Sequence, residues 1–227
     1  TAIGKAGIPL LSYRWSVADI GSGARLATGR GGASSTVYGM AEGGPEADAQ
    51  VAADQTWQNL TYFLERVLPV AETAGVRLAY QAGVPAEFVP GTEFVPGWPA
   101  ILNSVAGLDR LFATFPSPNH GLDLDHGLFA WASDRDPRQI IRHLGREGRI
   151  WAVRVRNVQR VADGLQERFL DEDRAALFSA LQVYREIGFE GPLRPASPPV
   201  MTDDTAWGHK GQALNIGYLR ALLQAIG

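Results

Sequence analysis

Short apolar runs alternate along this chain with longer stretches in which apolar residues recur every three or four positions. Ile8-Pro9-Leu10-Leu11-Ser12-Tyr13-Arg14-Trp15 is β-compatible, and Lys5-Ala6-Gly7 before it predicts a helix end with a glycine stop running into a buried strand. In Gln55 to Gly75, the positions Leu60, Phe63, Leu64, Val67 and Leu68 form the stripe of a helix packed on one face. Gly75 ends that helix, and Val76-Arg77-Leu78-Ala79-Tyr80-Gln81 is the next strand. A short helix over about Pro99 to Phe115 carries Ile101, Val105, Leu108, Leu111 and Phe112 on one face.

The unit then repeats. Gly121-Leu122-Asp123-Leu124-Asp125 predicts a strand, Asp136 to Gly145 a helix, and Ile150 to Arg156 a strand. Glu172 to Gly188 is a helix, Pro192 to Pro195 a last strand, and Trp207 to Ile226 a closing helix. Strands alternating with helices predict a parallel sheet covered by helices. The connections from helix to strand are short, as in Glu186-Ile187-Gly188-Phe189-Glu190-Gly191-Pro192-Leu193, whereas the long ones follow strands. Residues 16–54, rich in Gly, Ala and Ser, are expected as one long lid loop, with a disordered linker as the alternative; residues 82–98 are expected as a second loop after a strand. Long loops after strands place function at the strand C-terminal edge.

Composition narrows the classes. With 227 residues, 45% hydrophobic, the chain can bury a core without disulfides or a structural metal. The 21 Lys+Arg against 24 Asp+Glu give a net charge of -3, without basic blocks, which removes the electrostatic basis for binding nucleic acid or an anionic membrane. Zero cysteines exclude a disulfide framework, a thiolate metal site and a cysteine nucleophile. No run is long enough for a spanning helix or patterned as a signal peptide, so a cytoplasmic protein with a small-molecule partner is expected.

Several segments resemble the mannonate dehydratase family: Asn59 to Ala79, Pro99-Ala100-Ile101-Leu102-Asn103-Ser104, Arg156-Asn157-Val158, Gly188 to Pro195, and Gly217 to Ala225. Arg30-Gly31-Gly32-Ala33 resembles that family's lid motif. The resemblance implies a xylose-isomerase-like α/β fold, the TIM-type (β/α)8 barrel, with residues 1–227 as a single partial domain. It implies an enzyme that removes water from D-mannonate to give 2-keto-3-deoxygluconate, a carbon-oxygen lyase using a divalent metal such as Mn²⁺. The strand at Ile8 resembles the barrel's fourth, so about five C-terminal βα units are expected here. Thr1 then reads as a cut into a larger fold, with an open sheet edge to be covered by a complementing chain or a second copy.

At the places where the resemblance puts metal ligands, this chain has Gln81, Asp125, Arg154, Ala196 and Ser197. Only Asp125 can ligate a hard cation. A guanidinium keeps its proton and repels a dication, so Arg154 argues against the family's metal, and the expectation is no metal unless the site survives in altered form. Arg154 instead stands where a cation would, paired with Asp125 and facing a sugar acid; a buried ion pair filling a dead site is the alternative. The catalytic candidates are Asp125, His126 and Arg154; the substrate-binding candidates are Arg30, Gln81, Arg156 and Asn157. Asp123 shares a strand face with Asp125. His120 is expected at the surface, His143 on a helix face, and Asp203 or Asp204 near the cap of the closing helix. Two functions stay open: a sugar-acid hydro-lyase, or a metal-free, non-catalytic or repurposed relative retaining a pocket or an interface.

Overall fold

A computed structural model of the chain describes residues 1–15, 24–39, 49–82, 102, 104–127, 136–162, 164–196 and 198–227. The helix end read at Lys5-Ala6-Gly7 is there: α1 (Ala2–Lys5) is followed by Gly7 in the left-handed region at φ 70°. Five strands then form a parallel sheet in the order β1 (Leu10–Tyr13), β4 (Arg77–Ala82), β5 (His120–Asp125), β6 (Ile150–Val155) and β9 (Leu193–Pro195). Each falls within a residue of the corresponding apolar run, or inside it. Their in-order parallel pairing, with helices between, is the curled sheet of a TIM-type barrel.

One face of this sheet is covered by α2 (Ala49–Thr73), α3 (Val105–Thr114), α4 (Pro137–Gly145), α5 (Arg174–Glu186) and α6 (His209–Ile226). The helix stripe read from Leu60, Leu64 and Leu68 packs there with Leu78, Tyr80, Leu122, Leu124, Val153 and Val155. Leu60, Leu64, Leu122 and Leu124 are fully buried, each contributing about 1.5–3 kcal/mol relative to exposure. Local chemistry sets the helix ends. Ser104 accepts a hydrogen bond from the Gly107 N–H, and Asp136, with Pro137 behind it, accepts from the Arg138 N–H. Asp204 accepts from the backbone N–H groups of Lys210 and Gly211, so its carboxylate serves the α6 N-terminus although Gly208 is the cap residue.

Between β5 and β6 the register shifts: Leu122 pairs with Ile150, but Asp123 pairs with Ala152, so Trp151 is an extra residue on β6. The Trp151 indole donates to the Gly148 carbonyl.

Several expectations need correction. The stretch 16–54 is not one loop: it contains β2 (Ala24–Thr28) and β3 (Ser34–Gly39), and α2 begins at Ala49. β7 (Asn157–Val161) and β8 (Gly164–Arg168) form a second hairpin, and the two join as an antiparallel sheet in the order β2-β3-β8-β7. The expected loop at 82–98 lies, beyond Ala82, outside the described residues, as do residues 99–101 of the expected short helix. His120 is not at the surface. It is the first residue of β5 and fully buried, with Nε2 2.7 Å from the Tyr13 hydroxyl and its ring against Phe112. Among the described residues no helix is long and apolar enough to cross a membrane.

Candidate functional site

Side chains that pair across parallel strands share a face, and the face turned away from the helices carries the charge. Gln81 pairs with Asp123, Asp125 with Arg154, and Arg154 with Arg194. These positions are at the C-terminal ends of β4, β5, β6 and β9. Arg14 joins them from the end of β1, its Nε donating to Gln81 Oε1 at 3.1 Å.

The centre of the row is a buried ion cluster. Asp123 and Asp125 are each 1% exposed. Arg154 reaches Asp125 at 3.5 Å through one terminal nitrogen and Asp123 at 3.6 Å through Nε. Arg156 lies closer, 3.0 Å from Asp125, and donates to Glu167 of β8 at 2.8 Å. Arg194 approaches Asp123 at 3.6 Å from the solvent side. Burial pulls the Arg154 pKa down, opposed by Asp125 and Asp123; a guanidinium nevertheless stays charged at neutral pH. Gly127 is required beside this cluster, because a Cβ there would collide with the Arg156 side chain and carbonyl.

The structure thus brings together Asp125, Arg154, Arg156 and Gln81 of the expected site residues. The others are placed elsewhere. His126 packs on α5, its Nδ1 3.3 Å from the Tyr184 hydroxyl, and burial pushes its pKa down to about 3, so it is neutral at pH 7. Asn157 donates to the Phe169 carbonyl. Arg30, in the turn between β2 and β3, makes a two-pronged ion pair with Asp171 at 2.8 and 2.9 Å and lies over the Phe169 ring. Arg30 and Asn157 therefore both tie the antiparallel sheet to the turn at Leu170–Asp173.

Glu167, Arg14 and Arg194 were absent from the sequence reading of the site. The strand pairing of Arg154 with Arg194 was within reach, since both lie in predicted strands of the same parallel sheet. Glu167 was not, because β8 itself had gone unread.

Among the described residues these strand-end positions are engaged with one another. Of the positions where family resemblance puts ligands, Gln81 accepts from Arg14, Asp125 faces two guanidinium groups, Arg154 is itself a cation, and Ala196 has no donor side chain; Ser197 is outside the described residues. Among the described residues no group of three or more His, Asp or Glu is arranged to hold a metal ion.

A curled parallel sheet with helices outside and a polar cluster at the strand C-terminal ends is a xylose-isomerase-like TIM barrel in part. A xylose isomerase domain protein from Planctomyces limnophilus superposes with a TM-score of 0.60 at 15% identity, over 99% of this chain and 61% of that one. The family is narrower: the D-mannonate dehydratase (UxuA) family model matches residues 43–227, and the chain belongs to that family. Mannonate dehydratase 2 of Halalkalibacterium halodurans is 31% identical over 192 residues, 80% of this chain and 52% of that protein. A mannonate dehydratase of Streptococcus agalactiae is 28% identical over 190 residues, with the same coverage. The crystal structure of mannonate dehydratase from Streptococcus suis serotype 2 superposes with a TM-score of 0.81 at 24% identity, over 99% of this chain and 68% of that one. The chain spans about half the length of these curated relatives.

Proposed function

We propose that the protein is a sugar-acid hydro-lyase of mannonate dehydratase type whose site supplies positive charge from arginine. The observation that carries this reading is Arg154, buried at the C-terminal end of β6 beside two carboxylates. Loss of water next to a carboxylate needs a base for the α-proton, an acid for the leaving hydroxyl, and positive charge on the developing enediolate. Arg154 meets the last demand and binds the acid group by charge-assisted hydrogen bonds. Asp123 and Asp125 are the carboxylates within reach of a molecule bound there. Arg156, held by Glu167, fixes Asp125, and the Gln81 amide N–H groups are placed to donate to a substrate hydroxyl. His126 is given no proton-transfer step, because it is buried against Tyr184. No step runs through a metal.

The test is incubation with D-mannonate, with chelator or with added Mn²⁺, and assay for 2-keto-3-deoxygluconate. Product in the presence of chelator supports the reading. Product only with Mn²⁺ would show that Asp125 and its neighbours rearrange around a cation and would overturn it.

A second reading is sugar-acid binding without turnover. It is favoured by the same cluster, since Arg154 and Arg156 both engage Asp125, the only carboxylate at a ligand position. Calorimetric binding of D-mannonate without product would select it. β1 and β9 are the outer strands of the parallel sheet and have no further strand neighbour in it among the described residues. A complementing chain or a second copy fits there, which light scattering of the purified protein would detect as added mass.

A further inference from the structure

Within the cluster, Asp123 and Arg154 face each other without closing a hydrogen bond. Asp123 Oδ1 and Arg154 Nε have no hydrogen-bond partner among the described residues, and their side chains are 1% and 10% exposed. They lie 3.6 Å apart, too far to satisfy each other. Burying a donor or an acceptor without a partner is unfavourable, so a molecule that completes this pair is favoured there. The surroundings maintain the gap. Glu167 holds Arg156 at 2.8 Å and Arg156 holds Asp125 at 3.0 Å, while Arg154 stays 3.5 Å from Asp125. Asp125 is therefore engaged by a close guanidinium, whereas Asp123 meets Arg154 and Arg194 only at 3.6 Å.

An acceptor beside a donor is completed by a molecule that carries a donor beside an acceptor. A hydroxyl on the carbon next to a carboxylate is that group: the hydroxyl donates to Asp123 Oδ1, and a carboxylate oxygen accepts from Arg154 Nε. Resting on the sugar-acid reading above, we infer that Asp123 is a specificity-determining residue that selects acids bearing a hydroxyl on the carbon adjacent to the carboxylate. Arg154 takes the acid group. Arg194, whose side chain is 62% exposed, partly neutralises Asp123 from the solvent side. An acid with a methylene at that carbon leaves Asp123 facing hydrogen atoms that it cannot use, and pays for it in affinity.

The experiment is calorimetric titration of the whole chain with D-mannonate and with the matching 2-deoxy acid, repeated on Asp123→Asn and Asp123→Ala. The unsubstituted chain is expected to prefer the hydroxylated acid by about 100-fold or more. Asn keeps an acceptor oxygen without the charge and is expected to retain about a tenfold preference, and Ala less than about threefold. Affinity for the 2-deoxy acid should change little across the series, a pattern that a merely structural role would not give. Equal affinities in the unsubstituted chain, or a preference unchanged in Asp123→Asn, overturn the assignment. Should Asp123→Ala fail to fold by circular dichroism, the Asn variant alone decides. If the unsubstituted chain binds neither acid, the sugar-acid reading itself falls, a result distinct from binding both equally.

Discussion

The two faces of β5 carry opposite chemistry within six residues. Toward the helices it presents Leu122 and Leu124, fully buried among apolar neighbours; on the other face it presents Asp123 and Asp125, also buried, among arginines. Burial is the same on both sides, but what it demands differs. An apolar side chain is stabilised by losing water, whereas a carboxylate that loses water needs a partner. The helix-facing side is thus closed by shape. The charged side is closed only where the ion pairs are close, and the separations of 3.5 and 3.6 Å around Arg154 leave it without a tight pair.

The sharpest way to break this contrast is to move the charge across the strand. Leu124→Asp puts a carboxylate into the apolar layer with no partner there, and is expected to remove most or all of the ~5–15 kcal/mol typical of a domain. Urea denaturation followed by circular dichroism would show it, and a cooperative transition near the parent midpoint would contradict the assignment of faces.

Next in size is Asp125→Ala, which strips the central carboxylate from Arg154 and Arg156. Breaking a buried pair from one side costs about 3–5 kcal/mol. The same denaturation curve measures this, and a loss below about 1 kcal/mol would mean that water enters the cluster freely.

Acid probes the helix-facing side, where burial lowers His120 to about 4 and His126 to about 3. Both are depressed relative to an unfolded histidine near 6.5, so the unfolded chain binds more protons between those values. Stability is expected to be full above pH 6.5 and to fall as pH drops through 6 toward 4, by on the order of 3 kcal/mol for His120 alone. Melting temperature against pH reads the slope, and His120→Gln should flatten it.

The smallest effect belongs to an exposed counterpart of the buried pairs. Arg142 and Glu186 join α4 to α5 through two hydrogen bonds at 2.8 and 2.9 Å, yet solvent surrounds them. Arg142→Ala should leave the denaturation midpoint close to the parent value despite that better geometry. A shift as large as that of Asp125→Ala would show that burial is not what separates the two sites.

The parallel sheet was legible because each of its strands has Leu, Val, Ile or Tyr among its helix-facing residues. The pairing of Asp125 with Arg154 followed, since both sit at strand ends. The antiparallel sheet was not. β2 and β3 are mostly Ala, Thr, Ser and Gly, with Leu26, Val37 and Tyr38 as their only large apolar or aromatic residues, and the pairing of β3 with β8 is a long-range contact. For β7 and β8 a cue existed in Asp163-Gly164 between Val161 and Leu165, a hairpin turn signal that the expected strand-helix alternation overrode. His120 was misplaced because Ser117, Pro118 and Asn119 before it look like surface loop, while Tyr13 and Phe112, which bury it, are distant or on another element.

The extra residue at Trp151 has a consequence in parity. Leu122 lines up with Ile150 below the bulge, and Asp125 with Arg154 above it. Counting from the lower pair with Trp151 in regular pairing and no bulge, Asp125 would stand opposite Val153, and Arg154 would turn toward the helices. The bulge therefore takes up one amino acid without passing its parity on, and keeps the arginine in the charged layer at the end of β6. Deleting the codon for Trp151 would leave a regular ladder with Arg154 still opposite Asp125, whereas inserting one residue between Ala152 and Arg154 without a second bulge would turn the arginine toward the helices.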